Sequence, residues 1–281
     1  MHNKLKNILI LKKLYSSFIL RYERLYRFIR LQRPITKLFG PHFKRSHKVI
    51  DIDVTYLCNL NCINCSRSLG QIKSNEIITI KQIKKFIKES KDNNIIWKEI
   101  KVVGGEPTLH PNINQILNLL LDYKKKYSPN TIIKICTNSY GKKVKQILTK
   151  IPKDIMIRSF PKKSKYNLFF PFNVAPKDCK MFKFADYSNG CSLLNICGLG
   201  LNMYGYYPCA HAAGIDRIFG FNIGRKKIPC FEDDMVDQLN QFCKLCGYFR
   251  PVKRTKKEKI SVSWKKAFQK YKNKKPYMSS Y

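Results

Sequence analysis

Patterns typical of strands and helices alternate along the first 160 residues of the chain. Residues 49–56 alternate apolar and polar side chains, which predicts a strand. Further strands are predicted over residues 95–103, 131–136 and 154–159, and helices over 81–93, 113–127 and 143–150. Strands that alternate with helices predict βαβ units and a parallel sheet. The expected fold class is therefore α/β.

An amphipathic helix is predicted before the first strand, over residues 3–33. Its apolar residues recur at steps of three and four, with basic residues between them. Pro34, Gly40 and Pro41 are expected to end it. A basic amphipathic helix can lie on an anionic membrane surface, or it can pack on the folded domain with a solvated basic face. Both interpretations remain open from the sequence.

The pattern changes after residue 167, which suggests a division of the chain. Pro, Gly, Asn and Cys become frequent, and no long helix recurs until a helical pattern near residues 262–271. We expect four parts, listed in chain order: a basic helical segment (1–46), an α/β core (47–167), a small cysteine-rich domain (168–249) and a basic tail (250–281).

The composition indicates a folded protein whose positive charge favours anionic binding partners. Of the 281 residues, 44% are hydrophobic and 12% aromatic, enough for a folded core, which excludes wholesale disorder. The formal net charge of +37 is concentrated at the two ends, with +12 in residues 1–48 and +11 in residues 250–281. Phosphates, nucleic acids and anionic lipids are the usual partners of such charge. The longest uncharged run, 187–215, is too polar to span a membrane.

Eleven cysteines occur in clusters, and no secretory signal precedes them. Such clusters favour metal ligands over disulfides. Cys58, Cys62 and Cys65 provide three thiolates at the end of the first strand. A structural zinc site needs four ligands, so this spacing favours an iron–sulfur cluster over zinc. Isolated cysteines are expected to be buried or free thiols; these are Cys136, Cys179 and Cys230.

Two motifs together carry a family resemblance. Cys58-x3-Cys62-x2-Cys65 follows the first predicted strand, and Gly104-Gly105-Glu106-Pro107 follows the second. This order resembles the radical S-adenosylmethionine (SAM) superfamily over about residues 47–165. The resemblance implies a partial (β/α)6 TIM-like barrel that holds a [4Fe–4S] cluster. It also implies cleavage of SAM to a 5′-deoxyadenosyl radical, which abstracts hydrogen from a substrate.

The resemblance also implies roles for individual residues. The three cysteines would ligate the cluster, and Gly104, Gly105, Glu106 and Pro107 would hold the methionine amino group of SAM. Asn138 follows the third strand and would meet the ribose. Ser159 ends the fourth strand and would meet the ribose or the SAM carboxylate. Ordinary turn chemistry is the alternative for both. Asn64 departs from the family, which commonly has an aromatic residue before the third cysteine.

A second set of cysteines resembles the twitch form of the SPASM domain, which holds one auxiliary [4Fe–4S] cluster. Five cysteines are candidates for four ligand positions. The favoured set is Cys197, Cys209, Cys243 and Cys246, with Cys191 as the substitute for Cys197. A zinc-ribbon-like structural site is the alternative.

Histidines and charged residues near these motifs are weaker candidates. His110 could line the cavity, and His211, close to the auxiliary site, could donate a proton or contact substrate; a structural role is favoured for both histidines. Asp216 and Arg217 could contact substrate or pair with each other. The first-strand residues Asp51 and Asp53 could also face into the barrel.

Taken together, the motifs predict a cytoplasmic radical SAM enzyme. We expect a sugar-like or other small substrate, for which the positive charge favours a phosphorylated one, together with net oxidation through the auxiliary cluster and an electron donor such as flavodoxin or ferredoxin. Membrane-surface contact through residues 3–33 is a further expectation. The alternatives are a peptide- or RNA-modifying radical SAM enzyme and a non-catalytic, basic nucleic-acid-binding zinc protein. Nucleic acid is the less favoured partner, because no known nucleic-acid-binding motif occurs.

Overall fold

A computed structural model describes residues 21–161 and 169–281, and the predicted α/β class is confirmed there. Residues 21–30 are helical and are called α1. The other helices are α2 (Arg33–Phe39), α3 (Ile80–Asp92), α4 (Ile113–Tyr127), α5 (Lys142–Leu148), α6 (Leu193–Ile196), α7 (Ala210–Phe219), α8 (Val236–Phe242) and α9 (Val262–Asn273). The strands are β1 (Val49–Thr55), β2 (Glu99–Gly104), β3 (Ile132–Thr137), β4 (Met156–Ser159), β5 (Leu199–Asn202) and β6 (Gly205–Tyr207).

The N-terminal helix differs from its prediction. Residues 3–20 lie outside the described residues, and α1 gives way at Leu31 to a second helix, α2. Pro34 does not end a helix but lies in the first turn of α2, where a missing N–H is tolerated. Gly40, with φ of 69°, ends α2.

The second strand is shorter than predicted. Asn94 has a positive φ of 51°, and the Ile95 N–H donates to the Ser90 oxygen at the end of α3. The turn after α3 therefore lies at residues 93–94, and the strand pairing of β2 begins only at Glu99.

Six strands form one open sheet, in the order β4-β3-β2-β1-β5-β6. Neighbouring strands from β4 to β5 are parallel, and β6 is antiparallel to β5. Since β4 and β6 lie at opposite ends of this order, the sheet does not close, as a partial barrel requires. The carboxyl ends of the parallel strands share one edge, which is where ligands bind in such folds.

The two faces of the sheet differ in polarity, because side chains alternate along each strand. One face, which includes Ile52, Val102 and Ile135, packs in a common core with residues of α3 and α4. The other face carries charges that pair across strands. The Lys101 Nζ lies 2.9 Å from Asp51 Oδ1, and the Lys134 Nζ lies 2.6 Å from Glu99 Oε2. Asp51 therefore lies on the charged face.

Part of the predicted cysteine-rich domain extends the main sheet. Strand β5 pairs with β1 over Ile50–Ile52, and β6 continues the sheet. The division at residue 167 stays a prediction, but residues 168–249 contribute two of the six strands.

The C-terminal region is packed rather than a loose tail. The predicted helix corresponds to α9, and its Trp264 is fully buried, with the indole N–H donating to the Leu245 oxygen at 2.8 Å. Phe268 and Tyr271 are also buried. These three aromatic rings are therefore not available for stacking on nucleic-acid bases.

Among the helices within residues 21–161 and 169–281, none combines the length and the apolar content that crossing a bilayer requires.

Candidate functional site

One cavity brings the first cysteine motif and the glycine motif together. Cys58, Cys62 and Cys65 line a cavity of about 120 Å³. Gly104 and Gly105, from the end of β2, and Asn138, after β3, lie in the same wall. Other lining residues include Ser66, Arg67, Phe169 and Tyr248. Parallel strands explain this meeting, because the segments after β1, β2 and β3 leave from the same edge of the sheet.

The two glycines let the cysteine loop approach β2. A Cβ on Gly104, which has φ of 139°, would lie 2.3 Å from the Thr55 oxygen. A Cβ on Gly105 would lie 2.2 Å from the Leu57 oxygen and 3.1 Å from the Cys58 Cβ. The Gly105 N–H donates to the Thr55 oxygen at 2.7 Å. Only residues without side chains allow this close approach of two backbones.

Glu106 is fully buried and braces the ends of two strands. Its Oε1 accepts hydrogen bonds from the hydroxyls of Thr108 and Thr137, each at 2.8 Å, and its Oε2 accepts the Asn138 N–H at 2.7 Å. Neither Glu106 nor the buried Pro107 is among the residues that line the cavity. Within this motif, the backbone of the glycines is what faces the cavity.

Asn138 and Ser159 occupy different surroundings. Asn138 lines the cavity, and its Nδ2 donates to the Asn59 Oδ1 at 2.9 Å, which ties the cysteine loop to the end of β3. Ser159 lies outside the cavity wall, and its hydroxyl is 2.6 Å from the Ser139 hydroxyl. The turn interpretation fits Ser159 better, whereas Asn138 remains placed to meet a ligand.

Asn64 has a structural partner in the C-terminal region. It is almost fully buried, its Nδ2 donates to the Lys257 oxygen at 3.0 Å, and its Oδ1 accepts the Lys259 N–H at 3.3 Å. The position where the family commonly has an aromatic ring therefore holds the segment before α9 against the cysteine loop.

His110 is structural. Its Nε2 donates to the Ile78 oxygen at 2.9 Å, and its Nδ1 accepts the Asn112 N–H at 3.0 Å, so both ring nitrogens are satisfied. Burial lowers the pKa of His110, which favours the neutral ring that this pattern requires.

A buried ion pair fixes the chain after the third cysteine. Arg67 lines the cavity, and its guanidinium donates to both carboxylate oxygens of Asp53 on β1, the shortest contact being 2.8 Å. Burial raises the pKa of the Asp53 carboxyl, and the Arg67 charge opposes that rise. The sequence did not indicate this pair, because no spacing rule connects a strand residue to a loop 14 residues later.

We expect Asp53→Asn to destabilise the protein by about 3–5 kcal/mol, because it leaves the Arg67 charge buried without its counter-charge. The free energy of unfolding in urea measures this. Asp237→Asn is the matched control, since Asp237 pairs with the part-exposed Arg225 at the surface, and its unfolding midpoint should match that of the unmodified chain. Equal urea midpoints for the unmodified chain, Asp53→Asn and Asp237→Asn would show that the Asp53–Arg67 pair does not stabilise the fold.

Four cysteines line a second, small cavity: Cys191, Cys209, Cys243 and Cys246. Apart from the thiols, its walls are apolar, and they include Leu194, Ile215 and Phe242. The favoured set contained Cys197, which does not line this cavity; burial and the nearby Asp51 carboxylate raise its pKa well above the usual range. The structure therefore brings the substitute, Cys191, to this cavity in place of Cys197.

The thiols of this cavity influence one another. Burial and the neighbouring Cys191 thiol raise the pKa of Cys209 to about 12. Burial and the other three thiols raise the pKa of Cys243 well above its usual range. Bound metal reverses this preference, because it stabilises thiolates. Within residues 21–161 and 169–281, no three His, Cys, Asp or Glu side chains form a group that could hold a single metal ion.

Two aromatic rings are in contact beside the first cavity. Tyr248 lines the first cavity, and its ring centroid is 4.9 Å from that of His211, which follows Cys209 by two residues. The His211 Nδ1 is buried and has no hydrogen-bond partner among the described residues. Burial and the nearby Arg67 and Lys101 lower the pKa of His211.

Asp216 and Arg217 do not pair with each other. The Asp216 carboxylate accepts the Tyr207 hydroxyl at 2.8 Å and the Asn222 N–H at 2.9 Å. The buried Arg217 guanidinium lies 5.0 Å from the Tyr56 ring centroid. Both residues are therefore engaged in internal packing.

The segments that line the first cavity lie largely in a region that matches a known protein family. The model of the radical SAM superfamily matches residues 52–153, which contain the cysteine loop and the glycine motif. Over these residues the chain matches a radical SAM domain. Such domains bind a [4Fe–4S] cluster and SAM, so the two cofactors predicted from the resemblance are confirmed for this domain.

Curated relatives match the same region. A GTP 3′,8-cyclase of Aliarcobacter butzleri is 28% identical over 100 residues, which cover 35% of this chain and 29% of the relative. A probable GTP 3′,8-cyclase of Pyrococcus horikoshii is 31% identical over 94 residues, 34% of this chain and 26% of the relative. The matches thus span less than a third of either relative.

A solved structure, BtrN in complex with AdoMet and 2-DOIA, aligns with 73% of this chain and 89% of its own. The TM-score is 0.42 and the sequence identity 15%.

The residues of the first cavity fit the two cofactors. Three thiols at one end of the wall match a cluster that keeps one iron open, and three cysteines of this spacing are typical iron–sulfur ligands. The Gly104–Gly105 backbone lies directly beside the cysteine loop in the same wall, and glycines leave the space next to the thiols free of side chains.

Proposed function

We propose that the protein is a radical SAM enzyme that acts on a small, sugar-like or phosphorylated molecule. The convergence of Cys58, Cys62 and Cys65 with Gly104 and Gly105 on one cavity carries this proposal. The curated relatives are named for GTP, a phosphorylated small molecule that contains a sugar, and the basic surface suits such a substrate.

Different residues of the first cavity bind the two cofactors. The three cysteine thiolates hold the cluster, and the Gly104–Gly105 backbone and the Asn138 amide line the place for SAM. When bound, the reduced cluster and SAM supply the 5′-deoxyadenosyl radical that removes hydrogen from substrate. Glu106 keeps the ends of β2 and β3 in register, and the Asp53–Arg67 pair holds the cysteine loop.

We further propose that the second cavity holds an auxiliary [4Fe–4S] cluster on Cys191, Cys209, Cys243 and Cys246. Four thiols in an apolar enclosure support this, since an iron–sulfur cluster takes four thiolates. A redox centre in this position favours a reaction with net oxidation of the substrate. A structural zinc site with the same ligands is the competing assignment.

The proposed setting is the reducing cytoplasm, with flavodoxin or ferredoxin as electron donor. None of the eleven cysteines, all within the described residues, is in a disulfide, and both proposed clusters need thiolates.

Iron and sulfide content after anaerobic reconstitution tests the proposal. We expect about eight irons per chain, and about four after Cys58, Cys62 and Cys65 are all changed to Ala. The triple variant should also release no 5′-deoxyadenosine from SAM under reducing conditions. Changing Cys136, Cys179 and Cys230 to Ala is the matched control and should leave both readouts unchanged.

Different outcomes separate the two sites. About four irons in the unmodified chain, none in the triple variant and zinc in both would make the second site structural. No iron in any of the proteins would refute the enzyme proposal.

A further inference from the structure

We propose that the first two helices form a docking surface for an anionic phospholipid membrane. The surface comprises Tyr22, Leu25, Tyr26, Ile29, Leu38 and Phe39 and is called the α1–α2 apolar surface. The proposal concerns where the protein works rather than its chemistry, and it does not depend on either cluster.

The α1 part of this surface is one face of a helix. Tyr22, Leu25, Tyr26 and Ile29 follow the three- and four-residue steps that place side chains on one side. Their exposed fractions are 63%, 59%, 44% and 44%. Four large apolar or aromatic side chains in a row on a solvent-facing stripe indicate a binding surface rather than a chance exposure.

The opposite face of α1 already packs against the protein. Leu31, just after α1, is buried in a cluster with Phe182 and Phe249, and Phe28 packs against it with its ring 5.8 Å from that of Phe182. The exposed stripe is thus the side of α1 that faces away from this cluster. This packing also fixes the direction in which the exposed stripe points.

Contacts through Arg30 join α1 to the end of α2. The Arg30 guanidinium donates to the Gly40 oxygen at 3.2 Å and lies 5.6 Å from the centroid of the Phe39 ring. Leu38 and Phe39 are 74% and 66% exposed. These contacts hold the exposed end of α2 beside the C-terminal end of α1.

Charge complementarity favours anionic lipid as the occupant. Residues 21–40 contain six basic residues and one acidic residue, Glu23. Helices that bind at the membrane interface combine such basic residues with exposed aromatic and aliphatic side chains. A second copy of the same surface would bring like charges together. A nucleic acid would use the arginines but would not require exposed Leu25, Ile29 and Leu38.

Sedimentation of the full chain with lipid vesicles tests this docking. Vesicles of phosphatidylcholine and phosphatidylglycerol in equal parts should bind the unmodified chain at least about tenfold more tightly than vesicles of phosphatidylcholine alone. Leu25→Asp with Ile29→Asp should weaken binding to the anionic vesicles by about a hundredfold, since each insertion is worth about a factor of ten. Ile96→Asp with Val262→Asp, at exposed sites elsewhere, is the control and should bind as the unmodified chain does.

Several results would overturn the proposal. One is failure of the unmodified chain to bind the anionic vesicles, a measurement that needs no variant. Another is equal binding by the Leu25/Ile29 variant and the control. In a third result, the unmodified chain does not bind vesicles but does self-associate or bind RNA, and the Leu25/Ile29 variant loses that property. The surface would then belong to a second copy of the chain or to nucleic acid.

Discussion

Cys191→Ala is expected to remove the second cluster, whereas Cys197→Ala is expected to keep it. Cys191 shares an apolar cavity with Cys209, Cys243 and Cys246, whereas Cys197 lies outside that cavity wall and close to Asp51 on the charged face of the sheet. Iron content after reconstitution should fall from about eight to about four per chain in Cys191→Ala and stay near eight in Cys197→Ala.

The same pair of variants provides its own control. Both remove one buried thiol, and the two residues are only six positions apart. Retention of about eight irons by Cys191→Ala with loss in Cys197→Ala would reinstate the ligand set favoured by spacing. Cluster loss in neither variant would mean that the second cavity does not use four protein thiolates.

Gly105→Ala is expected to abolish most SAM cleavage without unfolding the protein. Its Cβ would lie 2.2 Å from the Leu57 oxygen, so the backbone that leads into Cys58 must move. Misplacement of a reacting group by about 1 Å can cost about a hundredfold in rate, and we expect a loss of at least that size in 5′-deoxyadenosine release.

Gly40→Ala is the matched control for this substitution. A Cβ on Gly40 has open space around it, although its φ of 69° carries the strain of a left-handed residue. It should keep the rate of SAM cleavage and lose about 1–2 kcal/mol of stability. A normal rate in Gly105→Ala would show that the cysteine loop tolerates displacement, and the close approach would then not serve the site.

Local patterns in the sequence were sufficient to predict the strands and helices of the α/β core. Alternation along residues 49–56 and the helical period over residues 113–127 correspond to β1 and α4, because burial against one face imposes those periods on the sequence. The sequence also predicted that the cysteine and glycine motifs lie close together. Residues that follow parallel strands meet at one edge of the sheet, whatever the loops between them.

Long-range contacts explain what the sequence left undecided. Strands β5 and β6 are four and three residues long and are rich in Gly, Asn and Tyr, so their pairing with the sheet depends on β1. The short helix α6 separates Cys191 from Cys197 and sends their thiols to different surroundings. The spacing of the cysteines in the sequence does not show which of the two thiols faces the cavity.

The sequence by itself determined the α/β class, the cysteine and glycine motifs and the family that they indicate, since these depend on local periodicity and on residue type. Only the tertiary structure decided which cysteines share a cavity, that Asp53 neutralises Arg67, and which face of α1 is left to solvent. Those features arise from contacts between residues far apart in the chain. The free energy of such contacts depends on burial and distance rather than on the residue types that are adjacent in the sequence.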